Sequence, residues 1–137
     1  LGVDVVQNEG WERGIGTSIR VGVGHLSTGV HAPSPVMIML CDQPLVTAGV
    51  LRRLVRAHAD SGRLVTVAAF AETLGPPVIV GSELFPALLG LRDDRGAKEL
   101  WMERPEMVHR VACPEAGWDV DTPADFERLS RGHGIGD

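Results

Sequence analysis

The 137-residue sequence lacks most of the signals that would assign a chain at a glance. No apolar run approaches the roughly 20 residues that a membrane-spanning helix needs. No charged-then-apolar leader precedes a small-residue cleavage site, so no secretory signal is read. Cysteine is scarce: Cys41 and Cys113 show no CxxC spacing, which leaves the common zinc and redox motifs without ligands. Cys41 lies in an apolar run and reads as a buried free thiol, and a disulfide is not expected in what looks like a cytoplasmic protein. The five histidines form no HxxxH or HExxH pair. Positive charge is also short. A net charge of −5 excludes a broad basic footprint for nucleic acid. It leaves room for an anionic small substrate, met locally by a metal ion and a few basic residues. No GxGxxG, Walker motif or internal repeat is present. The chain opens on Leu1 rather than Met, inside a strand-like run, and is expected to be a piece of a longer protein.

What is there is an ordinary globular composition, 44% hydrophobic and 23% charged, in a length that suits one domain over residues 1–137. The order of patterns is informative. "VDVV" at residues 3–6 is β-rich, and "QNEGWERGIG" at 7–16 reads as a loop. Thr17 or Ser18 is placed to cap a helix reaching Leu26, weakened by Gly22 and Gly24 at roughly 1 kcal/mol each. Residues 27–35 read as a linker. Residues 36–41, "VMIMLC", are uniformly apolar, the pattern of a strand covered on both faces. Thr47 starts a helix to about Asp60. Residues 63–70 form another buried strand, 71–77 a loop and 78–80 a short strand. Helices follow from Ser82 to Leu89 and near residues 97–102, and then a strand over 107–113. Thr122 at N-cap, Pro123 at N1 and Asp125 at N3 approach a capping box. The tail from Arg131 is expected to be mobile. Alternating strands and helices predict an α/β domain with a mostly parallel sheet.

In such sheets ligands sit beyond the carboxyl ends of the strands, which is where Asp42 falls. Pro44 biases Gln43, the residue before it, away from helix and keeps that segment open. Asp119 and Asp121, two residues apart on an extended stretch, point the same way. Two acidic loops meeting at one sheet edge would suit Mg²⁺, which takes one or two carboxylates with substrate phosphates and water. Spacing alone favours a plainer role, with Asp42 supporting a turn and Asp121 the Thr122 cap. The glycines of "GWERGIGTSIR" offer backbone N–H groups to an anion, or simply make a turn. Arg20 either reaches a phosphate or is solvated. Arg95 and Lys98 in "DDRGAK" either bind an anionic group or form a charged turn. Trp11, Trp101 and Trp118 read as packing residues.

"NEGWERGIGTSIRVGV", "MLCDQPLVT", "GPPVIVGSELFPALLGLRDDRGAKEL" and "DVDTPADFERL" occur in this order. Together they resemble the molybdenum-cofactor nucleotidyltransferases, the MobA-like NTP transferases, in their cytidylyltransferase branch. The resemblance implies a Rossmann-like, mostly parallel three-layer nucleotidyltransferase fold, here truncated at the N-terminus. It implies transfer of a nucleoside monophosphate, CMP from CTP, to a molybdopterin-type acceptor, with Mg²⁺ and release of pyrophosphate. By the same resemblance Asp42 and Asp121 are catalytic and hold the metal, with Asp119 nearby. Ser18, Arg20, Gln43, Pro44, Gly75, Pro77, Arg95 and Lys98 match substrate-side segments. The family's opening glycine-rich loop, which cradles the triphosphate, has no counterpart in this chain. The chain alone is therefore expected not to transfer nucleotides, and to pair with another copy or with a molybdoenzyme apoprotein. Two other readings stay open: a non-catalytic, self-associating binding module, and a nucleotidyltransferase acting on another small phosphorylated acceptor.

Overall fold

In the computed structural model, residues 2–28 and 34–133 are described. The described residues form four strands and five helices: α1 (Ile15–Ser27), β1 (Val36–Ile38), α2 (Ala48–Ser61), β2 (Val65–Phe70), β3 (Thr73–Val80), α3 (Phe85–Leu89), α4 (Lys98–Met102), β4 (Val108–Ala112) and α5 (Pro123–His133). The strand order is β1-β3-β2-β4. β3 runs antiparallel to both neighbours, and β2 pairs with β4 in parallel. The sheet is therefore mixed, with β1, β2 and β4 sharing one direction. Their carboxyl ends lie at one edge.

Period-two alternation puts β2 and β3 side chains on opposite faces, and helices cover both. On one face Val65, Val67, Val78 and Val80 pack with Val23 of α1, Phe85 and Leu88 of α3 and Trp101 of α4. On the other, Ala68 and Ile79 pack with Val50 and Leu54 of α2, and with Cys113 and Ala116. That is the three-layer arrangement expected from uniformly apolar strand sequences. Thr66, fully buried, brings its Oγ1 to 3.0 Å from His58 Nδ1 on α2, and burial there holds the imidazole below its ordinary pKa.

Several local expectations change. β1 stops at Ile38, because β3 is its only ladder partner among the described residues. Met39, Leu40 and Cys41 are exposed, not buried, and both cysteines are free. The strand expected from residue 78 begins at Thr73. A two-residue hairpin joins it to β2 through Ala71 and Glu72, with φ of 44° and 61°. Positive φ at both positions is the twist a tight hairpin needs, but neither residue is the glycine or asparagine that signals it. Pro76 and Pro77 sit at a bulge, where the register passes from Val67↔Val78 to Ala68↔Gly75. A bulge is the place in a ladder where missing N–H donors are tolerated. α5 runs on to His133, through part of the expected tail. Residues 29–33 of the expected linker, and residues 134–137, lie outside the described residues. At α5 the capping box forms: Asp125 Oδ2 accepts from the Thr122 amide at 3.0 Å, and Thr122 Oγ1 accepts from the Asp125 amide at 3.2 Å.

The N-terminus of α1 has a different basis from the expected Thr17 or Ser18 cap. Gly14, with φ of 127°, is the N-cap, and Thr17 Oγ1 donates back to its carbonyl at 2.7 Å. The Gly16 amide donates to Asp93 O at 3.0 Å. A Cβ on Gly16 would stand 2.0 Å from Arg92 O. These glycines let a helix start lie directly on the turn at residues 92–95. Gly16→Ala forces that backbone apart, and is expected to lower stability by about 3 kcal/mol. Urea unfolding measured against the parent checks this.

Candidate active site

The loops leaving the carboxyl ends of β1 and β4 meet although the two strands lie at opposite margins of the sheet. Three strand spacings, about 14 Å, separate them. The chain leaving β4 crosses this gap. The Cys113 amide donates to Ala69 O at 2.9 Å, at the end of β2. A short 3-10 turn, Pro114–Gly117, follows, and Gly117 lies so close to Phe70 that a Cβ would be 3.2 Å from its ring. Arg53 of α2 pins the turn through Glu115 at 3.0 Å, which holds the Glu115 carboxyl below its usual range. The crossing ends at β1, where the Val120 amide donates to Asp42 O at 2.9 Å. Asp119 and Asp121, both exposed, flank that hydrogen bond.

Asp42 itself is half-buried, and its Oδ1 is shielded from water with no hydrogen-bond partner. A buried carboxylate oxygen without a partner costs free energy unless a donor or cation completes it. Asp42, Asp119 and Asp121 do not form a cluster of three. Among the described residues no three His, Cys, Asp or Glu side chains gather into a metal-holding group. A hard oxygen ligand without a hydrogen-bond partner still suits Mg²⁺, which takes few protein carboxylates and fills the rest with phosphate and water.

Beside this edge, α1, β1 and α4 enclose an apolar cavity of about 510 Å³. Met39 and Leu40 line it and lead into the Asp42 loop. Ser18, Gly75 and Lys98 also line it, so three of the expected substrate-side residues come together. Lys98 Nζ donates to Thr73 Oγ1 at 3.1 Å, and Ser18 Oγ accepts from Asn8 Nδ2 at 2.9 Å. Trp101 Nε1 is buried here without a partner.

The other expected residues lie elsewhere. Arg20 donates to Leu91 O and to Asp93 Oδ1, so its guanidinium is spent inside the protein. Gln43 is 5% exposed, and Pro77 is fully buried. Pro44 is exposed beside the Asp42 loop. Arg95 pairs with Glu99 and lines a separate cleft of about 320 Å³. Sequence reasoning missed Asn8, whose Nδ2 also donates to Thr17 Oγ1 at 2.8 Å and whose Oδ1 accepts from the Gly10 amide at 3.0 Å. The Asn-Glu-Gly triplet was the available sign of that turn. Thr73 carried no sign, because its strand read as a loop.

The chain matches the MobA-like NTP transferase domain over residues 1–108. It is 28% identical over 123 residues to the purine catabolism protein PucB of Bacillus subtilis (strain 168), covering 88% of this chain and 58% of that protein. Among solved structures, Rv0371c from Mycobacterium tuberculosis H37Rv aligns with a TM-score of 0.66 and 28% identity, over 85% of this chain and 60% of that one. Its complex with manganese gives 0.64 and 28%, over 84% and 60%. The homologue from Mycobacterium sp. strain JC1 gives 0.63 and 28%, over 82% and 55%. The chain thus spans about three-fifths of the length of these relatives.

The fate of Arg20 is directly testable. The Arg20 hydrogen bond holds the Asp93 carboxyl below its ordinary pKa, with Arg13 adding a weaker attraction. A depressed carboxylate stabilises the fold above its unfolded pKa of about 3.9, and the contribution fades as pH falls through the folded value. Arg20→Met is therefore expected to lower the urea midpoint at pH 7. The gap from the parent should narrow below about pH 4, as Asp93 protonates in both proteins.

Proposed function

We propose, because the chain belongs to the MobA-like NTP transferase family, that it carries the cation-holding and acceptor-side parts of a nucleotidyltransferase. The substrates are CTP and a molybdopterin-type acceptor. An oxygen of the acceptor's terminal phosphate attacks the α-phosphorus of CTP. A phosphorus–oxygen bond forms there as the bond to the bridging oxygen breaks, and pyrophosphate leaves. Asp42 and Asp121 are the residues that would hold Mg²⁺, with Asp119 nearby in the chain. When bound, the ion neutralises charge on the phosphate oxygens. Ser18, Gly75 and Lys98 serve the acceptor side: the lysine supplies positive charge at the cavity, the serine a hydroxyl, and the glycine room for close approach. Arg20 and Pro77 act in the scaffold.

The observation that carries this reading is the unpartnered, buried Asp42 Oδ1 at the point where the two acidic loops join. The manganese complex of the similar Rv0371c supports a divalent ion. A second reading, transfer to another small phosphorylated acceptor, is favoured by one relative's being named for purine catabolism.

Mn²⁺ titration of the chain, followed by the electron paramagnetic resonance of the free ion, tests the cation site. Asp42→Asn is expected to weaken Mn²⁺ binding at least about tenfold without lowering stability, since the buried oxygen it alters makes no hydrogen bond and the substitution removes an unpaired charge. Equal affinity in parent and variant would overturn the assignment. Pyrophosphate release from CTP or GTP with a panel of phosphorylated acceptors, in the full-length protein, separates the two acceptor readings.

A further inference from the structure

The Gln43 side chain is buried at the junction of three chain segments. Its Nε2 donates to Ala116 O at 2.8 Å, in the turn that crosses the sheet edge, and to Pro76 O at 3.3 Å, in the β3 bulge. Its backbone follows Asp42 and its own carbonyl accepts from the Val46 amide at 3.1 Å. The amide orientation is dictated by its neighbours. Both groups facing Nε2 are carbonyl oxygens, so the flipped amide would set oxygen against oxygen. Oε1 then faces away, buried and without a partner, like Asp42 Oδ1 on the preceding residue. A side chain 5% exposed, with both Nε2 protons committed, is poorly disposed to contact a substrate.

We infer that Gln43 is a positioning residue. It fastens the loop arriving from β4 over the ends of β2 and β3, and so sets where Asp119 and Asp121 stand relative to Asp42. The crossing has two fastenings at the β1 side, Gln43 to Ala116 and Asp42 to Val120, four residues apart. With the first removed, the hydrogen bond from Val120 to Asp42 loses its neighbouring support. Gln43 acts on the cation through Asp42 and its loop partner, not by touching it. This last step rests on the cation reading given above, whereas the fastening itself does not.

The experiment reads the two separately in the whole chain. Gln43→Met keeps the length and removes both donors. Amide hydrogen exchange of Val120 is expected to rise about tenfold, while that of Val67 in β2 stays at the parental rate. Mn²⁺ affinity should fall about tenfold, as when a group supporting a metal ligand is lost, and the variant should add nothing to the loss in an Asp42→Asn background. Unchanged Val120 exchange in a folded Gln43→Met protein overturns the inference. Loss of Val120 protection in the variant, with a parent that itself binds no Mn²⁺, retains the fastening and overturns the cation reading. Should Gln43→Met not fold, Gln43→Asn takes over. Its shorter side chain withdraws the amide donor from Ala116 O, and Val120 exchange is expected to rise about tenfold. Unchanged Val120 exchange in a folded Gln43→Asn protein overturns the inference.

Discussion

The hydrogen bond from the Val120 amide to the Asp42 carbonyl ties together parts of the molecule that the sheet keeps apart. β1 and β4 occupy opposite margins, and no ladder joins them. Whatever chemistry needs Asp42 beside Asp119 and Asp121 depends on a loop spanning two intervening strands. The protein builds that span from short-range contacts: the Cys113 amide on β2, the 3-10 turn against Phe70, Arg53 clamping Glu115, and the Gln43 amide over the β3 bulge. Each is modest alone, since an exposed ion pair contributes little. Their common effect is to fix one path.

The site is also shaped by what the fold does with its charges and glycines. Arg20 and Asp93, which in sequence look like surface chemistry, join α1 to the turn after α3. Gly14 and Gly16 allow the same junction by absence of side chains. The residues next to that junction, Ile15 and Ser18 of α1 and Gly96 to Lys98 after the turn, line the cavity. Binding capacity and packing here compete for the same few residues, and packing takes the arginine.

Legibility followed the range of the interaction. α2 and the Thr122 capping box could be read because their signals are local, in amphipathic spacing and in two residues three apart. The apolar run marked a strand that points toward Asp42, but that strand is half-buried and ends at Ile38, four residues before it. The length of β1 could not be read, since Met39 and Leu40 are as apolar as the core and are exposed only because of what does and does not lie beside them. The first half of β3 was hidden by Gly75, Pro76 and Pro77, which argue for a loop unless a bulge receives them. The role of Gln43 was invisible, because its acceptors lie 33 and 73 residues away.

The sheet pairing has a consequence for how the molecule comes together in time. β2 and β3 are joined by two residues, so their pairing is a local event, although Ala71 and Glu72 must enter a conformation that L-residues resist. β2 and β4 pair in parallel across roughly forty residues, which carries a larger closure entropy and is slow for that reason. The acidic loop lies beyond β4, and it can cross the sheet only after that pairing exists. Closure distance therefore favours the order hairpin, distant strand, crossing loop, so that the contact between the two acidic loops is expected to form late.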